Sequence, residues 1–302
     1  MGETVQTSFR YFPVSPRDEK WGLYVTTAGQ SHIPPHTGYP PGGHPKDYAF
    51  DWRQGRVLAD HQVIYISSGR GWFESRGTGR RPIESGDVFL LFPGVWHRYA
   101  PDPATGWDEH WVGCAGEIVT RLLRHGFFSA GEPVLRIARE DSLLGVFAEI
   151  MEAVEVQPPA LQQVLAGLAS RLLSLVYSAS RTGPSGAASD RHAVREAMRI
   201  LHGAPEARHD LPGLARRLGA SYTSFRRAFA RQTGMGPHQY LLQLRIAHAR
   251  TLLAGGGRSV KEIAAECGFE GEPYFCRLFK KRTGLTPGQW RARSHHRGDG
   301  AG

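Results

Sequence analysis

An internal repeat in the last third of the chain constrains the fold more than any other feature of the sequence. The segment LARRLGASYTSFRRAFARQTGMGPHQY (214–240) matches IAAECGFEGEPYFCRLFKKRTGLTPGQW (263–290), with one residue inserted in the turn of the second copy. The matched positions are Phe225 with Phe275, Arg227 with Arg277, Phe229 with Phe279, Thr233-Gly234 with Thr283-Gly284 and Pro237 with Pro287. Such a duplication predicts two copies of one small helical motif.

Each copy has the signals of a short helix, a tight turn and a second helix. Ser259 and Glu262 have the spacing of a capping box for the first helix of the second copy. Gly268 then suits a sharp turn, and Pro273 suits the opening turn of the next helix, where its missing N–H costs little. In the first copy, Ser221 is the candidate N-cap of the second helix.

The phenylalanines of each second helix lie four residues apart and therefore on one face of that helix. If this face is buried, Arg226 and Arg227 in one copy, and the cations after Phe275 in the other, project outward. A helix that presents cations beside a glycine turn is the layout of a DNA-reading helix-turn-helix. The segment 237–253 between the copies has apolar residues at helical spacing and predicts a linker helix about 25 Å long. Two recognition helices joined in this way suit major-groove segments about 34 Å apart.

These residues resemble the AraC/XylS-type transcriptional regulators. The resemblance covers about 85 residues and is closest over IAAECGFEGEPYFCRLFKKRTGLTPGQWR, where order, spacing and duplication agree with the family signature. It implies base-reading positions at Thr223, Arg226 and Arg227 in the first recognition helix and at Glu272, Pro273, Cys276 and Arg277 in the second. The sequence departs from the family by placing Gly271, Glu272 and Pro273 where Asp or Ser is common. Pro and Cys offer little hydrogen bonding, so we expect the first helix to carry most of the sequence specificity.

The alternative for each arginine is phosphate contact without base reading. We expect Lys280, Lys281 and Arg282, at the end of the second recognition helix, to contact phosphates or to lie free in solvent.

The net charge of +9 divides unevenly along the chain. Residues 191–302 carry 20 Lys and Arg against 8 Asp and Glu, whereas residues 1–190 carry 17 against 20. A basic region beside a slightly acidic one indicates a polyanion partner, here double-stranded DNA, for the C-terminal part. The alternative is a solvated basic surface.

A stretch of small residues, SASRTGPSGAASD, separates the two parts of the chain and is typical of a flexible linker. Upstream, short β-branched and aromatic runs (VIYIS, GWFES, DVFLLF, HWVGC) alternate with Gly and Pro turns, as in an antiparallel barrel or sandwich. The sequence therefore predicts a two-domain protein. Its parts are an all-β domain with a helical hairpin in residues 1–177, a linker at 178–190, and an all-α double helix-turn-helix domain at 191–302. The resemblance to AraC-type regulators implies that the all-β domain is a cupin-like barrel.

The segment GDVFLLFPGVWHRYAPDPATGWDEHW resembles the ligand-binding barrel of carbohydrate-responsive AraC-type members, and the match extends over roughly residues 52–117. The resemblance implies a pocket in which aromatic faces and polar tips bind a sugar or related metabolite. Its candidate residues are Arg53, His97, Tyr99, Trp107, Glu109 and Trp111. For each tryptophan, a place in the hydrophobic core is the alternative.

A metal-dependent enzyme on the same barrel would need an HxH pair, a glutamate and a later histidine. Only the Pro93, Gly94 and His97 part of that pattern is present, while His32, His36, His44 and His61 are scattered. We therefore expect no metal, no cofactor and no catalytic residue.

Leu161, Leu165, Leu168, Leu172 and Leu175 recur at spacings of four and three, which places them on one stripe of a helix. The stripe predicts either a dimerisation face or a helical hairpin that caps the barrel.

Together these features predict a DNA-binding transcriptional regulator, not an enzyme, that responds to a small molecule, forms a homodimer and, if it is an activator, contacts RNA polymerase. The alternatives are a cupin enzyme with a DNA-targeting module and a ligand-independent regulator whose barrel serves only to dimerise. The lack of long apolar runs or a secretory signal, and three cysteines without a CxxC pair, predict a cytoplasmic protein with no membrane partner.

Overall fold

Strands that alternate buried and exposed residues form an antiparallel sheet in the N-terminal part of the chain. The structure, a computed structural model, describes residues 4–40, 52–137, 141–182 and 188–296. It divides into two units, residues 1–184 and 185–302. The strands described in the first unit are β1 (Gln6–Tyr11), β2 (Tyr24–Ile33), β3 (His61–Ser75), β4 (Gly79–Glu84), β5 (Asp87–Leu91), β6 (His97–Pro101), β7 (Trp107–Ala115) and β8 (Val134–Arg136).

The sheet has the order β1-β2-β7-β3-β5-β8, and β4 and β6 pair with the second half of β3. The first half of the long strand β3 pairs with β7 and β5. One strand therefore contributes to both halves of the sheet, and an apolar cluster that includes Ile64, Phe73, Phe89 and Trp107 fills the interior. The fold class predicted for the N-terminal domain is confirmed.

Helices cover the outer face of this sheet. The helices of the first unit are α1 (Pro16–Glu19), α2 (Glu117–Arg124), α3 (Asp141–Val156) and α4 (Leu161–Thr182). Gln162 ties α4 to the sheet, since its amide donates to the Val25 carbonyl at 3.0 Å and accepts from the Val25 N–H at 3.1 Å. This pairing lies where the β2–β7 register shifts between Val25 and Thr27, so a side chain completes the irregular backbone ladder there.

The leucine stripe packs inside its own unit. Leu165 and Leu172 are fully buried in the cluster formed with α3 and the outer face of the sheet, and Leu161, Leu168 and Leu175 pack against that cluster. Of the two predicted roles, this arrangement fits the hairpin that caps the barrel, because the stripe packs on its own sheet and α3 and its two fully buried leucines are unavailable to a second copy.

The second unit is helical, as predicted. Its helices are α5 (Ala188–Gly203), α6 (Leu211–Arg217), α7 (Tyr222–Thr233), α8 (Pro237–Gly255), α9 (Val260–Glu266), α10 (Glu272–Thr283) and α11 (Pro287–His296). The predicted linker at 178–190 is too long. Residues 178–182 continue α4 and residues 188–190 begin α5, because small residues such as Ala and Ser are compatible with helix when their neighbours pack.

The repeated Thr-Gly and Pro residues end one helix and start the next. Thr233 Oγ1 lies 2.8 Å from the Phe229 carbonyl oxygen, and Gly234 ends α7 in the left-handed conformation. Pro237 then opens α8. Thr283, Gly284 and Pro287 repeat these positions at the junction of α10 and α11. The duplicated sequence thus encodes a duplicated helix stop and restart.

Phe279 gives a direct test of the predicted core. It is fully buried against Phe275 and Trp290, so Phe279→Ala leaves a cavity, and we expect a loss of about 3–5 kcal/mol in the stability of the second helix-turn-helix. Hydrogen exchange of the α9 and α10 amides in the full-length protein measures this loss. Lys280→Ala, at the exposed neighbouring position, is the control and should change the same exchange by about 0.5 kcal/mol or less. Similar losses in both variants would contradict the assigned burial.

Candidate DNA-binding surface and effector pocket

Two helix-turn-helix motifs present basic surfaces in the second unit. In the first motif, α6 and α7 flank a turn at Gly219, and Ser221 caps α7 by accepting from the Ser224 N–H at 3.2 Å. In the second, Ser259 and Glu262 form the predicted capping box of α9, and Gly271 precedes α10 without a side-chain cap. The predicted N-caps at Ser221 and Ser259 are therefore present in the structure.

The buried faces of α7 and α10 are the predicted ones. Phe225 and Phe229 are buried in the first motif and Phe275 and Phe279 in the second. An aromatic residue of the following helix packs edge-on against the second phenylalanine in each case, Tyr240 at 5.3 Å and Trp290 at 5.9 Å between ring centroids. The two motifs therefore have equivalent cores.

The opposite face of α7 brings Thr223, Arg226 and Arg227 together on the surface. They line an open concavity of about 660 Å³ that also includes His238 and Gln239 from the first turn of α8. His238 and Gln239 are not among the sequence-predicted site residues, because only the fold brings the start of α8 beside α7.

The predicted DNA-binding residues of α10 differ in their exposure to solvent. Glu272, Pro273, Arg277, Lys280 and Lys281 are exposed. Cys276 is half-buried and packs against the core of its motif, and burial raises the pKa of its thiol. Since a protonated, half-buried thiol is a weak hydrogen-bonding group, Cys276 has little to offer a base edge. The exposed Tyr274 adjoins these residues and is absent from the sequence prediction.

In the first unit, four predicted pocket residues line the interior of the barrel. His97 and Tyr99 lie on one face of β6, and Trp107 and Glu109 lie on one face of β7. All four are buried, and Tyr99 and Trp107 belong to the interior apolar cluster. Trp111, next on the same face of β7, is half-buried at the margin of this cluster and lies 6.5 Å from Phe9 between ring centroids.

Arg56 takes the interior position that the sequence assigned to Arg53. Arg56 Nη2 donates to the Tyr99 hydroxyl at 2.8 Å, and its Nε lies 3.4 Å from His97 Nε2. Arg53 is exposed on the turn at 52–54, and its carbonyl accepts from Arg98 at 3.3 Å. No sequence signal distinguishes the two arginines, because neither lies in a strand with a recognisable period. A backbone bridge between Arg56 and His97 sets the inward position.

Burial holds His97 in its neutral form. It lowers the pKa of His97 to about 4, and the nearby Arg56 charge adds to the effect. His97 Nδ1 lies 3.0 Å from the Val95 carbonyl and therefore carries the proton. Nε2 is left as an acceptor toward Arg56, which fixes the tautomer.

Glu109 is the second titratable group of the interior. Burial raises its pKa to about 7, against opposing contributions from Tyr39, Arg56 and Trp107. The Tyr39 hydroxyl donates to Glu109 Oε2 at 3.2 Å, and the Tyr39 ring stands edge-on to Trp107 at 5.8 Å. The Trp107 indole N–H is buried and makes no direct hydrogen bond among the described residues. Like Arg56, Tyr39 lies outside the predicted strands and was missed.

Within the described residues, no three His, Cys, Asp or Glu side chains are grouped in a way that could hold a metal ion. His32 pairs with Asp108 at 2.5 Å, and His61 packs edge-on against Phe92 at 6.2 Å between ring centroids. His44 lies outside the described residues. No described helix has the length and apolarity required to span a membrane.

Removing the charge of Glu109 should change how stability depends on pH. The folded protein holds a proton on Glu109 above the unfolded pKa, so this group's contribution to stability falls as pH rises from 4.5 to about 7. The Glu109→Gln variant lacks this titration, and its stability relative to the wild type should rise by up to about 3 kcal/mol across that window.

Urea unfolding of both proteins at a series of pH values measures this difference. The depressed pKa of His97 makes stability increase with pH between about 4 and 6.5, but this effect is common to both proteins and cancels in the comparison. A difference that stays constant with pH would contradict the buried, proton-holding state of Glu109.

Comparisons with known proteins agree with both parts of the chain. An AraC-like ligand binding domain model matches residues 38–201, and a helix-turn-helix domain model matches residues 214–293. The MmsAB operon regulatory protein of Pseudomonas aeruginosa is 33% identical over 251 residues, covering 81% of this chain and 80% of that protein. The transcriptional activator RhaR of Klebsiella pneumoniae is 47% identical over 76 residues, covering 25% of this chain and 27% of that protein.

Among solved structures, the DNA-binding domain of AdpA in complex with a target DNA is 28% identical, covering 36% of this chain and 98% of that chain, with a TM-score of 0.34. The ligand-binding model alone spans more than half of the chain, and the MmsAB relative spans most of it. The chain therefore belongs to the AraC family of DNA-binding transcriptional regulators that carry an AraC-like ligand-binding domain.

Proposed function

We propose that the protein regulates transcription in response to a sugar or a related polyhydroxylated metabolite, which binds inside the barrel. One observation carries the proposal: a polar network in which the half-buried Arg56 and Tyr39 contact the buried His97, Tyr99 and Glu109 in an otherwise apolar interior. Buried polar groups cost stability unless they are hydrogen-bonded, and a few convergent polar groups in an apolar lining are typical of ligand pockets.

The chemistry of this network suits a neutral molecule with several hydroxyl groups. Arg56 supplies N–H donors, Glu109 supplies carboxyl oxygens, and the tyrosine hydroxyls can donate or accept. The faces of Tyr99 and Trp107, whose centroids lie 6.2 Å apart, provide flat apolar surface for the C–H side of a sugar ring. A cationic effector would place a like charge beside Arg56, and an anionic effector would do so beside Glu109 once its carboxyl ionises, at a pKa of about 7.

We further propose that Thr223, Arg226 and Arg227 on α7 read the base edges of one half-site, that Arg277 on α10 reads a second and shorter half-site, and that Lys280 and Lys281 contribute phosphate contacts. Their exposure, together with the partial burial of Cys276 and the proline at the start of α10, supports this division. Glu272 and Pro273 then shape the start of α10 and are not base readers.

A homodimer is the expected assembly, with contacts other than the buried leucines of α4. If the protein activates transcription, as the name of its RhaR relative states for that protein, RNA polymerase is a further partner.

Replacing Arg227 tests the DNA-reading role of α7. We expect Arg227→Ala to weaken binding to a selected operator by about 1–3 kcal/mol and to weaken binding to random DNA much less, because a base contact is lost. Electrophoretic mobility shift at fixed salt measures both affinities. Arg282→Ala, which removes an exposed cation outside the proposed reading face, should affect both DNAs equally. An equal loss on both DNAs for Arg227→Ala would indicate a phosphate contact.

The effector pocket is tested by a matched pair of arginine variants. A monosaccharide that binds only the folded wild-type protein stabilises it by about 2.7 kcal/mol at one hundred times its Kd, which raises the melting temperature. Arg56→Met should abolish this thermal shift, whereas Arg53→Met, at the exposed turn, should keep it. Loss of the shift in both variants, or in neither, would contradict the assigned interior.

Failure of every sugar to shift the wild-type melting temperature would favour a barrel that serves only dimerisation. Stoichiometric iron, manganese or zinc in the purified protein would favour the cupin enzyme.

A further inference from the structure

A single arginine on the linker helix contacts both the segment that leads into the first helix-turn-helix motif and the turn of the second motif. Arg245 lies in the middle of α8, half-buried, and its guanidinium donates to three backbone carbonyls. Nε reaches Pro205 at 2.7 Å, Nη1 reaches Gly268 at 2.7 Å, and Nη2 reaches Ala207 at 2.9 Å. All three distances are those of strong charge-assisted hydrogen bonds.

Two of these carbonyls lie just before the first motif and the third lies in the second. Pro205 and Ala207 are in the segment that leads from α5 into α6, whereas Gly268 is in the turn between α9 and α10. The guanidinium is also 5.9 Å from the ring centroid of Phe269, which is buried in the core of the second motif. One planar group therefore connects the segment that leads into the first motif, the linker helix and the turn of the second motif.

The backbone of the second motif also touches the segment between α5 and α6 directly. A Cβ added at Gly268 would lie 2.1 Å from the Glu206 carbonyl oxygen, so a side chain there cannot be accommodated without movement of this segment, which leads into the first motif. Gly219, the matching turn residue of the first motif, has the same left-handed conformation, with φ of +75° against +76°, but a Cβ there would meet nothing within 4 Å. The close approach is thus specific to the junction between motifs.

Only arginine has the chemistry for this position. Its rigid fork presents donors in several fixed directions, whereas a lysine amine is a point charge that reaches fewer of the three carbonyls from one place. Burial lowers the pKa of Arg245, and the cation is retained because carbonyl oxygens replace its lost water.

We propose that Arg245, packed against the Gly268 turn, is a specificity-determining positioning residue: it fixes the separation and rotation of the two recognition helices and thereby selects operators by the spacing of their half-sites. The inference rests on the proposed DNA-binding function. One inserted base pair rotates one half-site by about a tenth of a turn and moves it by about 3.4 Å, which a rigid joint cannot follow.

The probe for the test is DNA selected from a random double-stranded library by the full-length wild-type protein. Affinities are then measured for this operator, for versions with one or two base pairs inserted between the half-sites, and for each half-site alone. For the wild type, insertion should weaken binding at least about tenfold, which corresponds to about 1.4 kcal/mol. The Arg245→Lys protein should bind the parent operator more weakly and keep the wild-type affinity for single half-sites. The loss of affinity caused by the inserted base pairs, the insertion penalty, should be much smaller than in the wild type.

Arg250→Lys is the matched control on the same helix. Arg250 lies over the Trp290 ring at 4.5 Å, within the second motif, and should keep the wild-type spacing preference. Should Arg245→Lys prove unfolded by thermal denaturation, Gly268→Ala and Gly219→Ala decide the question. Both introduce a Cβ in a left-handed turn, but only Gly268→Ala is expected to relax the spacing preference.

An Arg245→Lys or Gly268→Ala protein that retains the full insertion penalty, or that loses affinity equally for single half-sites, would overturn the inference and leave DNA binding intact. If the wild type selects no sequence from the library, the proposed function itself fails.

Discussion

The burial of two phenylalanines four residues apart on each recognition helix is the constraint on which the DNA-binding unit depends. Once Phe225 and Phe229, or Phe275 and Phe279, occupy the core of a motif, the rotation of that helix about its axis is fixed. The arginines between them then have no direction available except outward. The basic surface is thus a consequence of the apolar one, and its position follows from hydrophobic packing before any DNA contact is considered.

This dependence explains why most of the second unit could be predicted from the sequence. Caps, turns and the phenylalanine period are local signals, and each one acts within about four residues. The leucines of α4 show the limit of such signals. Their spacing identified a buried face correctly, but a period of 3.6 does not say what covers the face, and the sheet and α3 cover it within the same unit. The predicted boundaries of the linker were wrong for a related reason, because small residues adopt the conformation that the packing of their neighbours favours.

In the sensor unit, the family resemblance identified His97, Tyr99, Trp107 and Glu109 but not Arg56 or Tyr39. A strand of period two places every second residue inward, which is why the residues identified on β6 and β7 share the interior face. Arg56 and Tyr39 lie outside long strands, and their inward positions result from tertiary contacts with His97 and Glu109. Two of the five network residues therefore lie in segments without a local period, so nothing in the sequence distinguishes Arg56 from the predicted Arg53.

The two copies of the repeat have different surroundings within the chain. The turn of the second motif packs against the segment that precedes the first, whereas the turn of the first motif has no corresponding neighbour. Gly219 is therefore required only for its left-handed conformation, and Gly268 is required in addition for the absence of a side chain. The sequences of the two copies differ at this contact. The second copy carries the extra residue of the turn after Gly268, whose carbonyl accepts from Arg245. The two motifs thus differ in sequence where one packs against the segment that precedes the other. The residues of their cores and helix ends are equivalent in the two copies.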